Sequence, residues 1–314
     1  MTIPFVISVA VILGLLLFLY HEVRRPPGPM EWGRVPHWKK RVRITFVIVP
    51  LLIACGVFWG VFIEPNRLVL HQETITIDGW PKGLDNLKIA VLSDIHVGSS
   101  FIDDKKLRLI VERTNQLQPE MIVILGDYMS GQGWMRSRVV PEVFGPVLKD
   151  LRAPLGVYSV LGNHDWWWDG LRVRRGLESN GIKVLDDEVV ELKRQGSSVW
   201  VAGLADLWTR PQHVSETIAK IPEGQPVIAL THNPDIFPRL PQRVPLLLAG
   251  HTHGAQFRFP IIGPVVQPSN FSYVRGHIFE NNHHLFVTTG IGTSIIPARF
   301  GVTPEIVLLT IKSR

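Results

Sequence analysis

Val157-Tyr158-Ser159-Val160-Leu161-Gly162-Asn163-His164-Asp165 is an apolar run that stops at a glycine and then delivers an amide, an imidazole and a carboxylate in succession. The run reads as a buried strand. Glycine directly after a strand marks a tight turn, so Asn163, His164 and Asp165 are presented together at a strand end. Three such groups side by side are costly to bury unpaired. Taken alone, the stretch is equally compatible with a polar turn and with a ligand site, and the rest of the chain has to decide.

The arrangement recurs. Leu87–Leu92 is a second apolar run, ending in Ser93-Asp94-Ile95-His96. Met121–Leu125 ends in Gly126-Asp127, Val227–Leu230 in Thr231-His232, and 244–249 in Gly250-His251-Thr252-His253-Gly254. Asp104–Gln116 carries Leu107, Ile110 and Val111 at helical spacing, and 139–150, 171–179 and 213–220 also read as helices. Further strands are expected at 74–77, 182–185, 189–192, 199–203, 285–288 and 306–311. Strand and helix alternate early and strands dominate later. That order predicts an α/β (α+β) domain of two packed sheets with helices outside.

A single polar strand end is ordinary: Gly126-Asp127 alone is a turn, and His232 before Asn233-Pro234 could cap one. Five in chain order, nearly all Asp, His or Asn, point to a site outside the carboxyl ends of the strands. Imidazole suits zinc, iron or manganese, and carboxylate suits manganese and harder ions. Two such ions can clamp the attacking and leaving oxygens of an in-line displacement, and one carboxylate can bridge them. Cys55 is the only cysteine, so neither a disulfide within the chain nor a cysteine zinc site is available.

The mean hydropathy of +0.16 is high because of the first 66 residues. Residues 3–20 form an uncharged apolar run of 18 and residues 44–63 one of 20, each long enough to span a bilayer. A cleaved signal or a buried hairpin is the alternative for these runs. Residues 1–68 carry a net charge of +5, and the remainder only +1. The basic excess therefore does not describe the main domain, which argues against nucleic acid as a partner. Arg24, Arg25, Arg34, Lys39, Lys40, Arg41 and Arg43 all lie between the two runs, whereas 64–78 holds only Arg67. Short Lys/Arg-rich loops stay in the cytoplasm. The expectation is a transmembrane hairpin over 1–66 in the cell (inner) membrane, followed by a domain over 67–314 that faces the periplasm or cell exterior.

Ser93-Asp94-Ile95-His96, Leu125-Gly126-Asp127, Gly162-Asn163-His164-Asp165, Thr231-His232 and Gly250-His251-Thr252-His253-Gly254 resemble the five motifs of the calcineurin-like metallophosphoesterases. The resemblance spans about residues 85–314. Gly290-Ile291-Gly292-Thr293-Ser294, Arg299-Phe300 and Pro304-Glu305-Ile306 are similar to a bacterial membrane-associated, phosphodiesterase-like branch. Ala255 departs from the second glycine of many relatives in that branch. The resemblance implies a four-layer αββα sandwich and two divalent metals, manganese, iron or zinc. It implies Asp94, His96 and His253 on the first ion, Asn163, His232 and His251 on the second, Asp127 bridging, and His164 as a catalytic non-ligand that protonates the leaving oxygen or stabilises the transition state.

The reading is a membrane-anchored phosphoesterase acting on a phosphodiester, phosphomonoester or pyrophosphate, with the anchor tilting it toward a lipid-linked substrate. The alternative is a non-catalytic membrane scaffold or metal sensor that retains the fold. Trp166-Trp167-Trp168 is either a substrate or bilayer rim or plain packing, and 131–138 is a candidate edge of the cleft. His283 and His284 are placed in a late turn with no role.

Overall fold

The computed structural model describes residues 37–131, 137–265 and 273–314, preceded by Ala10, Leu13, Gly14, Leu15, Leu17, Phe18, Tyr20 and His21. Most of the first apolar run and most of the 131–138 segment lie outside the described residues. Helix α1, His37–Phe58, covers the second run and continues through a π turn at Trp59–Ile63 and a 3-10 turn at Glu64–Asn66. Among the described residues, one helix, over Val47–Asn66, is long and apolar enough to cross a membrane.

Two six-stranded sheets follow. The first takes the order β1 (Val69–Ile77), β14 (Glu305–Ser313), β2 (Leu87–Leu92), β3 (Met121–Leu125), β4 (Val157–Val160) and β5 (Lys183–Val184). The second runs β12 (Gly276–Glu280), β13 (His283–Val287), β9 (Leu246–Ala249), β8 (Val227–Leu230), β7 (Ser197–Gly203) and β6 (Glu188–Arg194). A small antiparallel hairpin, β10 (Arg258–Phe259) with β11 (Gly263–Pro264), stands apart from both. β2 through β5 pair in parallel, as do β7, β8, β9 and β13. Parallel strands buried on both faces read as unbroken apolar runs, which is why these were legible.

The period of two along each strand divides the core. Ile89, Val91, Val123 and Leu125 of the first sheet meet Ile228, Leu230, Leu246, Leu248 and Phe286 of the second. The alternate residues Ala90, Leu92, Ile122 and Ile124 pack outward against α2 (Asp104–Gln116), α3 (Pro141–Leu148) and α4 (Asn163–Glu178). On the far side, Ala229, Leu247 and Ala249 pack against α5 (Val214–Ala219) and the 3-10 turn Pro234–Arg239. The layers are therefore helix, sheet, sheet, helix, with a thin fourth layer. Truncating Phe286 to alanine between the sheets would cost about 3–5 kcal/mol.

Two expectations need correction. His283 and His284 lie in β13, not in a turn; His283 is buried and its Nδ1 donates to the Val244 carbonyl at 2.7 Å. And α4 begins at Asn163, eight residues earlier than the 171–179 estimate, with a break in its backbone at Asp169. Polar residues and three tryptophans hid that first turn from an apolar-periodicity reading.

Candidate metal centre

The loops after β2, β3, β4, β8 and β9 converge where the carboxyl ends of the two sheets meet. Asp94, His96 and His253 bring their ligand atoms within 4.8 Å of one another, and so do Asp127, His232 and His251. His96 Nε2 lies 3.1 Å from His253 Nε2, which is 3.3 Å from Asp94 Oδ1. His232 Nε2 lies 3.1 Å from His251 Nδ1 and 3.1 Å from Asn163 Oδ1. Asp127 Oδ2 faces both groups, 3.3 Å from His232 Nε2 and 3.7 Å from His96 Nε2. All seven side chains are buried.

Backbone geometry makes this closeness possible. Asp94, His96, Asp127, His251 and His253 all adopt positive φ, between 50° and 68°. That conformation is unfavourable for residues with a Cβ and is held only where the surroundings impose it. At Asp127 that imposition comes from Asp165. It accepts hydrogen bonds from the backbone N–H groups of Asp127, Tyr128, Met129 and Gly162, at 2.8–3.0 Å. Burial pushes Asp165 up to about 7, yet every contact is donated to it, leaving no acceptor for a carboxyl proton. We therefore take it as the anion. Gly126, at φ +88°, allows the Asp127 loop to lie against the Gly162 backbone, where any Cβ would collide with Gly162 N.

The charge state of the ring nitrogens fits a cation site. Burial drives His96 and His251 down to about 3 and His253 well below its usual value, so their lone pairs are free. His232 goes the other way: burial would lower it, but Asp127, and then Asp94, pull it up to about 10. The two buried carboxylates, Asp94 and Asp127, thus favour positive charge at this ring, which a bound cation would supply. Asp94 Oδ1 and His251 Nε2 are buried with no hydrogen-bond partner. His96 Nδ1 and His232 Nδ1 donate to the Met129 and Leu125 carbonyls, each at 2.7 Å, turning both Nε2 atoms inward. Carbonyl partners of this kind fix the tautomer of metal-binding histidines. The donor set fits two divalent cations.

His164 sits at the opening. Its backbone N–H donates to Asp127 Oδ1 at 2.9 Å, its Nε2 is 3.4 Å from Ser294 Oγ, and its ring meets the edges of His96 and Trp167. Trp167 is exposed and neighbours the exposed Trp208, which in turn packs edge-on against His251, with ring centroids 4.4 Å apart. Trp166 and Trp168 pack against the helical core. The tryptophan run therefore divides into one rim residue and two packing residues.

The profile of the calcineurin-like phosphoesterases matches residues 87–255. The chain belongs to this family. It is a hydrolase of phosphoric esters. A Bacillus subtilis relative, named as the uncharacterized metallophosphoesterase YkuE, is 29% identical over 262 residues, 82% of this chain and 90% of its own. A Danio rerio protein named as a transmembrane protein with metallophosphoesterase domain is 30% identical over 270 residues, 79% of this chain. This chain spans only 58% of the zebrafish protein's length. Among solved structures, Haemophilus influenzae NAD nucleotidase aligns at 12% identity with a TM-score of 0.43, over 66% of this chain and 45% of its own. Calcineurin-like phosphoesterases typically hold two divalent metals, and the two buried groups offer a place for each.

Sequence reasoning missed several residues around this phosphoesterase centre. Arg299 is wholly buried and lies 3.3 Å from His253 Nδ1; its guanidinium donates to the carbonyls of Thr289 and Gly292. Only its place in the closing motif signalled it. Ser294 was quoted in the same motif without a role. Trp208, held by a turn in which Asp206 accepts from the backbone of Trp208 and Thr209, carried no signal at all.

Proposed function

We propose that this phosphoesterase is a membrane-anchored dinuclear hydrolase of a phosphodiester, whose site takes a lipid-linked substrate. The observation that carries the dinuclear reading is Asp127, buried with one oxygen facing His96 of one ligand group and His232 of the other. Asp94, His96 and His253 would hold one ion, Asn163, His232 and His251 the other, and Asp127 would touch both. Two divalent cations there would supply a strong nucleophile from water and positive charge for the phosphoryl oxygens. His164 would hold a proton at Nε2 and give it to the leaving oxygen. Its backbone tie to Asp127 would keep it beside the ions without making it a ligand, and Ser294 Oγ, 3.4 Å from Nε2, would orient the ring. Trp167 and Trp208 would exclude water from the mouth and receive an apolar or planar leaving group.

The anchor supports the substrate reading: residues 1–66 would form a hairpin with its basic loop inside, and 67–314 would face the periplasm or exterior. An outward-facing site would meet lipid-linked esters of the outer leaflet. The test is hydrolysis by the full chain in detergent, with manganese, zinc or iron added. The panel comprises soluble diesters, monoesters, pyrophosphates and phospholipids. Preference for a lipid-linked diester by a factor of ten or more in kcat/KM supports the reading. Equal rates on a soluble diester overturn the substrate assignment, and no metal-dependent turnover of any ester overturns the site.

A further inference from the structure

Beside the metal centre the chain exposes apolar side chains that nothing in the hydrolytic mechanism uses. Phe259, Ile261, Ile262 and Val265 on the β10–β11 hairpin are exposed, Ile261 fully so. Ile295 and Ile296, on the turn after Ser294, are exposed beside them in the same loop cluster. A solvated protein seldom presents a Phe-Pro-Ile-Ile tip and a second Ile-Ile pair together without a partner.

Their attachments indicate the partner. Gln256 binds the second turn: its Oε1 accepts from Ser294 N–H, and its Nε2 donates to the Ile296 carbonyl at 2.8 Å. Phe300 binds the hairpin: its carbonyl accepts from Arg258 N–H at 2.7 Å, and its ring stacks on Phe259 with centroids 4.8 Å apart. The same Phe300 ring lies against α1. A Cβ at Gly56 would sit 3.7 Å from it, and one at Gly60 3.5 Å. Arg299 N–H closes the joint by donating to the Gly60 carbonyl at 2.9 Å.

The level of that joint along α1 matters. Gly56 lies seven residues before the end of the 44–63 apolar run, which is about 10 Å at the rise of a helix. If the run lies in hydrocarbon, Phe300 and Phe259 meet it below the leaflet surface, and the Ile261-Ile262 tip is carried with them. The charge pattern agrees. From residue 236 to 279 the chain holds four arginines and no aspartate or glutamate, and Arg258 sits at the base of the hairpin, where a long cationic side chain can reach lipid phosphates.

We infer that the Phe259–Val265 hairpin and the Ile295-Ile296 turn are a bilayer-inserted patch that seats the mouth of the metal cleft on the membrane surface. The partner is the acyl-chain region of the leaflet from which α1 emerges. The inference rests on α1 being a membrane span and not on the hydrolytic reading. Because Ser294 stands next to His164, a substrate would enter from the leaflet rather than from bulk water.

The test uses single-cysteine forms of the full chain in phosphatidylcholine–phosphatidylglycerol vesicles, each carrying an environment-sensitive fluorophore. Native Cys55 reports the span. Ile261→Cys and Glu223→Cys, each in a Cys55→Ala background, report the patch and an exposed site at the opposite end of β8. Both substitutions are at solvated positions, so folding is not at risk. Lipids with a nitroxide on the acyl chain are the quencher. Quenching at residue 261 at least threefold above that at residue 223, and comparable to residue 55, supports the inference. Quenching at 55 with 261 no different from 223 overturns it. Shielding of 261 from aqueous iodide without lipid quenching also overturns it, in favour of a protein partner. No quenching at 55 removes the span and the inference with it.

Discussion

His164 and Asp127 touch through a backbone hydrogen bond, yet substitution should separate their roles. His164→Ala should lower kcat by about 10²–10⁴-fold, the usual scale of a lost general acid, with metal content unchanged by elemental analysis. Asp127→Ala should lose both metal and activity, because its carboxylate faces both ligand groups. Wild-type protein reconstituted with manganese should approach two ions per chain. A maximum of one ion, or metal loss in His164→Ala, would show the assignment to be wrong. Metal removal should also destabilise the fold. Five site residues held at positive φ and two buried carboxylates are strained without cations, and bound ions at 100 times their Kd add about 2.7 kcal/mol per site. The melting temperature should therefore fall on chelation and recover on adding metal.

The elements that carry these residues have their own weak points. β1 closes the first sheet by pairing with β14, and across that pair His71 Nδ1 lies 3.0 Å from Glu305 Oε2. The hydrogen bond to Glu305 raises His71 above its ordinary 6.5. Burial opposes ionisation of Glu305, but His71, the Thr289 N–H and the Thr288 hydroxyl hold it below its ordinary 4.5. A raised histidine stabilises the fold fully below its unfolded value and loses that contribution as pH rises through the folded one. A lowered carboxylate does the reverse at the acid end. The pair should thus contribute most between pH 4.5 and 6.5. Between pH 6 and 9 the urea midpoint should fall more in wild type than in His71→Gln, and equal slopes would remove the pair from the account. In the π turn that continues α1, Gly60 is the residue that allows the close approach to Arg299 and Phe300, since a Cβ there would meet the Arg299 carbonyl at 3.0 Å. Gly60→Val should cost about 1–3 kcal/mol through overpacking, visible as a lower thermal midpoint.

For the whole molecule the testable quantity is orientation. Seven basic residues lie between the two apolar runs, four of them in the first turns of α1, while one lies in 64–78. That bias should place the C-terminal domain outside. A C-terminal alkaline phosphatase fusion should be active and a green fluorescent fusion dark, and the opposite pattern would put the catalytic domain in the cytoplasm. The sequence alone determined the early alternation of strand and helix, the layered α/β class and the strand ends at which the candidate ligands stand, but not the β10–β11 hairpin or β12. It could do so because parallel strands buried on both faces are unbroken apolar runs, and because five of their ends carry Asp, Asn or His. Local pattern could not reveal which strands are neighbours. Only the tertiary structure placed β14, from the end of the chain, between β1 and β2, and brought His251, from the second sheet, to hydrogen-bond through its N–H with Asp94 of the first. The same holds for Arg299, Ser294 and Trp208, which have no metal-ligand chemistry and acquire a role only from proximity. Pairing across a hundred or more residues depends on complementary packing of faces, a property of two surfaces together that neither stretch carries by itself.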